Sequence, residues 1–156
     1  MKNTKSICLN RCEVIFIIGF PGAGKTTYIG NHYSQGYIVY DDYKAVAINE
    51  SNHFIHSRHF YRLITNLYYK ARVVISDIDF CRKESFDEAF YILRLYDEYI
   101  HIKYIIFEKN KEKCLYNIEK RGRKNILKDK NGLEKYYEGY KYINYYMPIT
   151  IVNIIN

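Results

Sequence analysis

The sequence predicts an α/β fold, a three-layer αβα sandwich about a parallel five-stranded sheet. Apolar runs of strand length recur at 14–18, 37–40, 73–77, 103–107 and 149–154. Between them lie stretches of helical periodicity too long for hairpin turns, so successive strands must run parallel and be joined by right-handed crossovers. At 156 residues the chain is expected to form one domain, 1–156, around one core.

Val14–Ile18 is uninterrupted by polar residues, as suits a strand covered on both faces. A glycine-rich turn follows, then a helix from about Gly24 to His32 that ends before Ser34-Gln35-Gly36. Tyr37–Tyr40 is the second strand, stopped by Asp41-Asp42. Helix is expected in two parts, Tyr43 to about Ile48 and Ser51 to Lys70, with Ser51 or Asn52 as N-cap and Phe60, Leu63, Ile64 and Leu67 on one buried face. Val73–Asp77 reads as the third, central strand. A helix from about Arg82 to Tyr96 turns Phe86, Ala89, Phe90 and Leu93 inward, and Lys103–Phe107 is the fourth strand. Lys109–Lys120 is helical until Gly122, Asn131–Asn144 is the last helix, and Ile149–Ile154 closes the sheet as an edge strand.

Apolar runs are all far shorter than the roughly 18–20 residues of a membrane span. The polar start Met1–Ser6 lacks the architecture of a secretory signal, so a cytoplasmic location is expected. Cys8, Cys12, Cys81 and Cys114 form no CxxC pair, which argues for reduced thiols rather than a zinc site or disulfide framework. The net charge of +7 is uneven: between 102 and 141, twelve Lys or Arg face six acids. That surface favours polyanions, whether nucleoside triphosphates or nucleic acid, although a solvated helix face has the same composition.

Gly19-Phe20-Pro21-Gly22-Ala23-Gly24-Lys25-Thr26 matches the phosphate-loop pattern GxxxxGKT, with a strand before it and a helix after it. Glycines let backbone N–H groups converge on phosphate oxygens, and the helix adds the positive end of its dipole. Gly22, Ala23, Gly24, Lys25, Thr26 and Thr27 are therefore expected to hold ATP, with Lys25 at the β- and γ-phosphates and Thr26 on Mg²⁺. In a parallel sheet ligands collect at the carboxyl ends of the strands, where Asp41, Asp77 and Glu108 also fall. Asp41 suits a base that takes an acceptor hydroxyl proton; Asp is equally at home as a helix N-cap, and both uses fit if Asp42 caps. Asp77 ends an apolar strand as a Walker B acid does, to reach Mg²⁺ through water or to brace the acceptor site, with Asp79 as a competitor. Lys120-Arg121-Gly122-Arg123-Lys124 sets four cations around a helix-breaking glycine, the composition of a lid, about 117–130, that neutralises transferring phosphate. His53, His56 and His59 rotate around a helix and read as an exposed or substrate-facing stripe with Arg58 and Arg62.

With these residues assembled, the chain from Val14 to about Tyr142 resembles the 5′-hydroxyl kinase domain of phage-type polynucleotide kinase, a P-loop kinase. The likeness lies in the phosphate loop through Thr27, in Asp41-Asp42-Tyr43-Lys44, in Ile75-Ser76-Asp77 and in Lys120-Arg121-Gly122. It implies ATP- and Mg²⁺-dependent transfer of the γ-phosphate to the 5′-hydroxyl end of DNA or RNA. It further implies Asp41 as general base, Lys44 (arginine in the family pattern) and Asp77 in the acceptor site, and Arg121 on the donor phosphates. An upstream lid arginine of the family falls at Asn117, with Arg123 as its candidate replacement. Any 3′-end processing is expected to belong to another protein, because no phosphatase domain accompanies the kinase. A small-molecule kinase of the same fold and an ATP-binding module without transfer activity are the alternatives.

Overall fold

The computed structural model describes residues 12–43, 53–122, 124–140 and 149–155. Five strands, β1 (Glu13–Ile18), β2 (Ile38–Tyr40), β3 (Arg72–Ser76), β4 (His101–Phe107) and β5 (Ile149–Val152), pair in the order β2-β3-β1-β4-β5, all parallel. The helices are α1 (Lys25–His32), α2 (Phe60–Tyr68), α3 (Lys83–Tyr96), α4 (Lys111–Arg121) and α5 (Ile126–Tyr137), with a 3₁₀ turn at Ile78–Cys81. The expected α/β architecture with a parallel five-stranded sheet is therefore the one found. β1 occupies the middle, β3 lies one place from it, and β5 is an edge.

Every residue of β1 is buried, because helices cover both faces of the sheet. On one face Phe16 meets Phe80 edge-on with centroids 5.0 Å apart and stacks on Tyr104 at 5.5 Å, while Phe86 of α3 lies 4.7 Å from Tyr104. Leu63 and Leu67 of α2 are fully buried, each side chain contributing about 1.5–3 kcal/mol by leaving water. At the amino end of the sheet the buried Glu13 is held by Arg72 Nε at 2.9 Å and Lys103 Nζ at 2.7 Å, tying β1 to both neighbours. Burial pushes the Glu13 carboxyl up, but Lys103 and Arg72 outweigh it and leave its pKa below the ordinary value.

Local chemistry sets the helix ends near the site. Asn110 Oδ1 accepts from Lys113 N at 3.0 Å and starts α4; Gly122, at φ 56°, ends it in the left-handed conformation that glycine tolerates. Three boundaries depart from the sequence reading. Ser51 and Asn52, the expected N-cap, lie outside the described residues, and over 53–70 the expected helix is formed only from Phe60 to Tyr68, because residues 53–56 turn and bury Phe54 against Tyr43, centroids 5.3 Å apart. The chain after Asp77 forms a 3₁₀ turn, capped when Asp77 Oδ1 accepts from Asp79 N at 2.8 Å. The last helix starts at Ile126 rather than Asn131. The expected helix from Tyr43 to Ile48 falls, apart from Tyr43, outside the described residues, as do Cys8, Lys44 and Arg123; Cys12, Cys81 and Cys114 are free thiols. No described helix is long and apolar enough to cross a membrane.

Candidate active site

Parallel strands with their helices packed alongside leave a crevice at the carboxyl edge of the sheet. Here it is a cleft of about 600 Å³ whose lining includes Gly22, Gly24, Lys25 and Thr26 after β1, Asp41 and Asp42 after β2, Asp77 after β3, and Arg121 at the end of α4. Residues more than ninety positions apart in sequence thus meet at one edge.

The phosphate loop is built to keep its backbone bare. Gly22 has φ 81°, and a Cβ there would lie 2.3 Å from the carbonyl oxygen of Cys114; Gly24 has φ 94° and precedes α1 without a side chain to cap it. The first N–H groups of α1 are left to whatever occupies the cleft, an anion site by geometry and dipole. Lys25 Nζ donates to the carbonyl oxygens of Gly19 at 2.8 Å and Phe20 at 3.0 Å, so its charge is folded against the loop. Burial pushes the Lys25 ammonium below its ordinary range, and Asp41 and Asp77 counter that. Ala23 and Thr27 do not line the cleft: Ala23 is buried, its carbonyl accepting from Ile155 N at 3.2 Å, and Thr27 is exposed on α1.

The two acids differ in setting. Asp41 is exposed and its Oδ2 accepts from Thr26 Oγ1 at 2.7 Å. Asp77 is buried, and desolvation pushes its carboxyl up to about 7 despite the Asp79 N–H. Asp79, the competing acid, is engaged elsewhere, accepting from Tyr136 Oη and from Arg82 at 3.3 Å. Glu108 also sits at a strand end but is held by Lys113 at 3.0 Å and by Ile154 N at 3.2 Å, outside the cleft lining. Asn117 is likewise no cleft residue. It is buried in α4, where Nδ2 donates to the carbonyl oxygens of Gly22 and Ile155, each at 2.9 Å, and so fastens the loop to the chain after β5.

α5 supplies residues that sequence reasoning missed. Lys128, Asp129, Asn131 and Lys135 line the cleft. The helix is seated by Gly132, where a Cβ would lie 3.1 Å from Ile78 and 3.6 Å from Pro21, and by the Tyr136–Asp79 hydrogen bond. Lys130–Glu119 and Lys111–Glu134, each 2.7 Å, clamp α4 to α5. The surplus of lysine after 102 was the available signal, but only packing separates cations turned to the cleft from those spent on ion pairs.

No protein-family profile matches the chain, and no curated protein matches it in sequence. Solved structures match its fold. A gluconokinase from Sinorhizobium meliloti 1021 superposes with a TM-score of 0.58 at 11% identity, over 94% of this chain and 84% of that one. A fungal RNA kinase gives 0.56 at 17% identity over 87% of this chain and 69% of that one. A chain of the Pnkp1/Rnl/Hen1 RNA repair complex gives 0.51 at 16% identity over 85% of this chain and 47% of that one, so this chain spans about half of that protein. These likenesses, at such low identity, are of architecture: the chain has the fold of the P-loop kinases.

Proposed function

We propose that this chain is an ATP- and Mg²⁺-dependent kinase that transfers the γ-phosphate to the 5′-hydroxyl end of DNA or RNA. The observation that carries the reading is the 2.7 Å hydrogen bond from Thr26 to Asp41, which sets a carboxylate from the end of β2 beside the phosphate-loop helix. Thr26, Asp41 and Asp77 offer only oxygen donors, the set a hard cation such as Mg²⁺ requires. Thr26, with Asp77 acting through water, would hold the ion, which when bound supplies charge neutralisation for the transferring phosphoryl group.

In this reading the loop N–H groups and Lys25 bind the donor phosphates. Asp41 accepts the proton of the acceptor hydroxyl as its oxygen bonds to the γ-phosphorus, while the bond to the β-phosphate oxygen breaks and ADP leaves. Arg121 neutralises charge on the transferring oxygens, assisted by Arg123, and Lys44 and Asp77 orient the acceptor. A polynucleotide acceptor is supported by the fold likeness to a fungal RNA kinase and to a chain of an RNA repair complex, and by the cations Arg121, Lys128 and Lys135 in the cleft wall. The gluconokinase likeness over 94% of the chain favours a second reading, a small-molecule kinase. Incubating the protein with γ-labelled ATP and a 5′-hydroxyl oligonucleotide, and in parallel with nucleosides and sugar acids, separates the two. Label in the oligonucleotide is the expected result; label only in the small molecules would reject the first reading.

A further inference from the structure

A second cavity, of about 270 Å³, lies beside the cleft and is lined by Tyr40, Tyr61, Arg62, Thr65 and Asn66. We propose that it binds the nucleotides of a single-stranded acceptor that follow the 5′-terminal one, with a base stacked on Tyr61 and a phosphate at Arg62, a proposal that rests on the polynucleotide reading above.

Position is the first argument. Tyr40 ends β2 and lines this cavity, and the next residue, Asp41, lines the cleft, so consecutive residues at one strand end serve the two spaces. A strand whose 5′-hydroxyl is presented to Asp41 has the second cavity within reach of its next nucleotides.

Chemistry is the second. Tyr40 is a fixed wall, its hydroxyl accepting from Asn66 Nδ2 at 2.8 Å and its ring 5.0 Å from that of His59. Tyr61 is 82% exposed although α2 has a buried face at Leu63 and Leu67 for its apolar residues. A flat ring open to solvent beside a cation is the pairing that single-stranded nucleic acid uses, because every base presents a stacking face and every linkage a negative charge. Arg58 and Arg62 are both exposed, and neither forms an ion pair with a carboxylate among the described residues; Arg58 instead donates to His59 at 3.1 Å. Burial first, then the charges of Arg58 and Arg62, hold the His59 pKa below its ordinary value, with Asp42 acting the other way.

The test is steady-state phosphorylation of a nucleoside 3′-monophosphate, a dinucleotide and an octanucleotide, all with 5′-hydroxyls, by the parent chain and by Tyr61→Ala, Tyr61→Phe and Arg62→Ala. Both side chains are exposed, so the variants should melt with the parent. KM for the octanucleotide should rise about tenfold in Tyr61→Ala, the effect of one lost stack, and stay within about twofold of the parent in Tyr61→Phe. Arg62→Ala should raise the same KM and flatten its dependence on salt, while KM for the monophosphate moves by less than about twofold in every variant. A parent that labels the octanucleotide with variants whose KM is unchanged would overturn this proposal and leave the kinase reading intact. A parent that labels none of the three acceptors but labels a small metabolite would overturn both.

Discussion

Asp41 and Asp77 are carboxylates from neighbouring strands that face one cleft from unlike surroundings, one exposed and hydrogen-bonded to Thr26, the other buried with its pKa near 7. Replacing Asp41 by Asn keeps the shape and removes the base, so turnover should fall by at least about 10²-fold while a fluorescent ATP analogue still binds. Asp77 makes a prediction in pH. Its native pKa lies above the unfolded value of 3.8, so its contribution to stability is full below pH 4 and is lost as pH rises through about 7. Asp77→Asn should therefore melt higher than the parent at pH 8, by a few degrees at roughly 2–4 °C per kcal/mol, with the gain vanishing toward pH 4 in a melting series. At this scale the sequence named the residues but could not rank Asp77 against Asp79. The distinction depends on Tyr136 and Arg82, which occupy Asp79 from a distant helix and from the next turn.

The phosphate loop is legible as an element because strand, glycines and helix are contiguous and each has its own local reason. What seats it is not contiguous. Gly22 touches the backbone of α4, where any Cβ meets the Cys114 carbonyl, so Gly22→Ala should cost about 1–3 kcal/mol in chemical denaturation and abolish binding of the ATP analogue. Substitution of the neighbouring exposed Gly30, where a Cβ would meet nothing, should do neither. α2 and α5 were the poorly read elements. Residues 53–59 follow the capping signal Ser51-Asn52 and carry helical spacing, yet burial of Phe54 beside Tyr43 outweighs that weak propensity. α5 begins early because Ile126 packs against the core, a contact invisible without α4 beside it.

Across the whole molecule, stability and chemistry sit at opposite ends of the sheet. The amino ends of β1, β3 and β4 are joined through Glu13, and the carboxyl ends open into the cleft. Glu13→Gln should lower the melting temperature by roughly 3–6 °C, about 1–2 kcal/mol given that Arg72 and Lys103 are half exposed, without altering the phosphorylation rate. Because the Glu13 pKa is depressed, the parent's advantage is present above the unfolded value of 4.5 and fades as pH falls through the native one. Parallel pairing was legible from alternation alone, but the strand order, with β1 rather than the third strand in the middle, was not; nor was the pairing of Glu13 with two cations, since neither lies within fifty positions of it.

Asn117 holds the carbonyls of Gly22 and Ile155 at once, and Ile155 N in turn donates to Ala23. A ligand that steadies the loop steadies the segment beyond β5 as far as the two are coupled, and order in that segment favours the ligand by the same coupling free energy. Deuterium uptake at the Ile155 amide should therefore slow when a nucleotide is added, and Asn117→Ala should shrink that slowing without abolishing it, because the direct bond from Ile155 N to Ala23 remains.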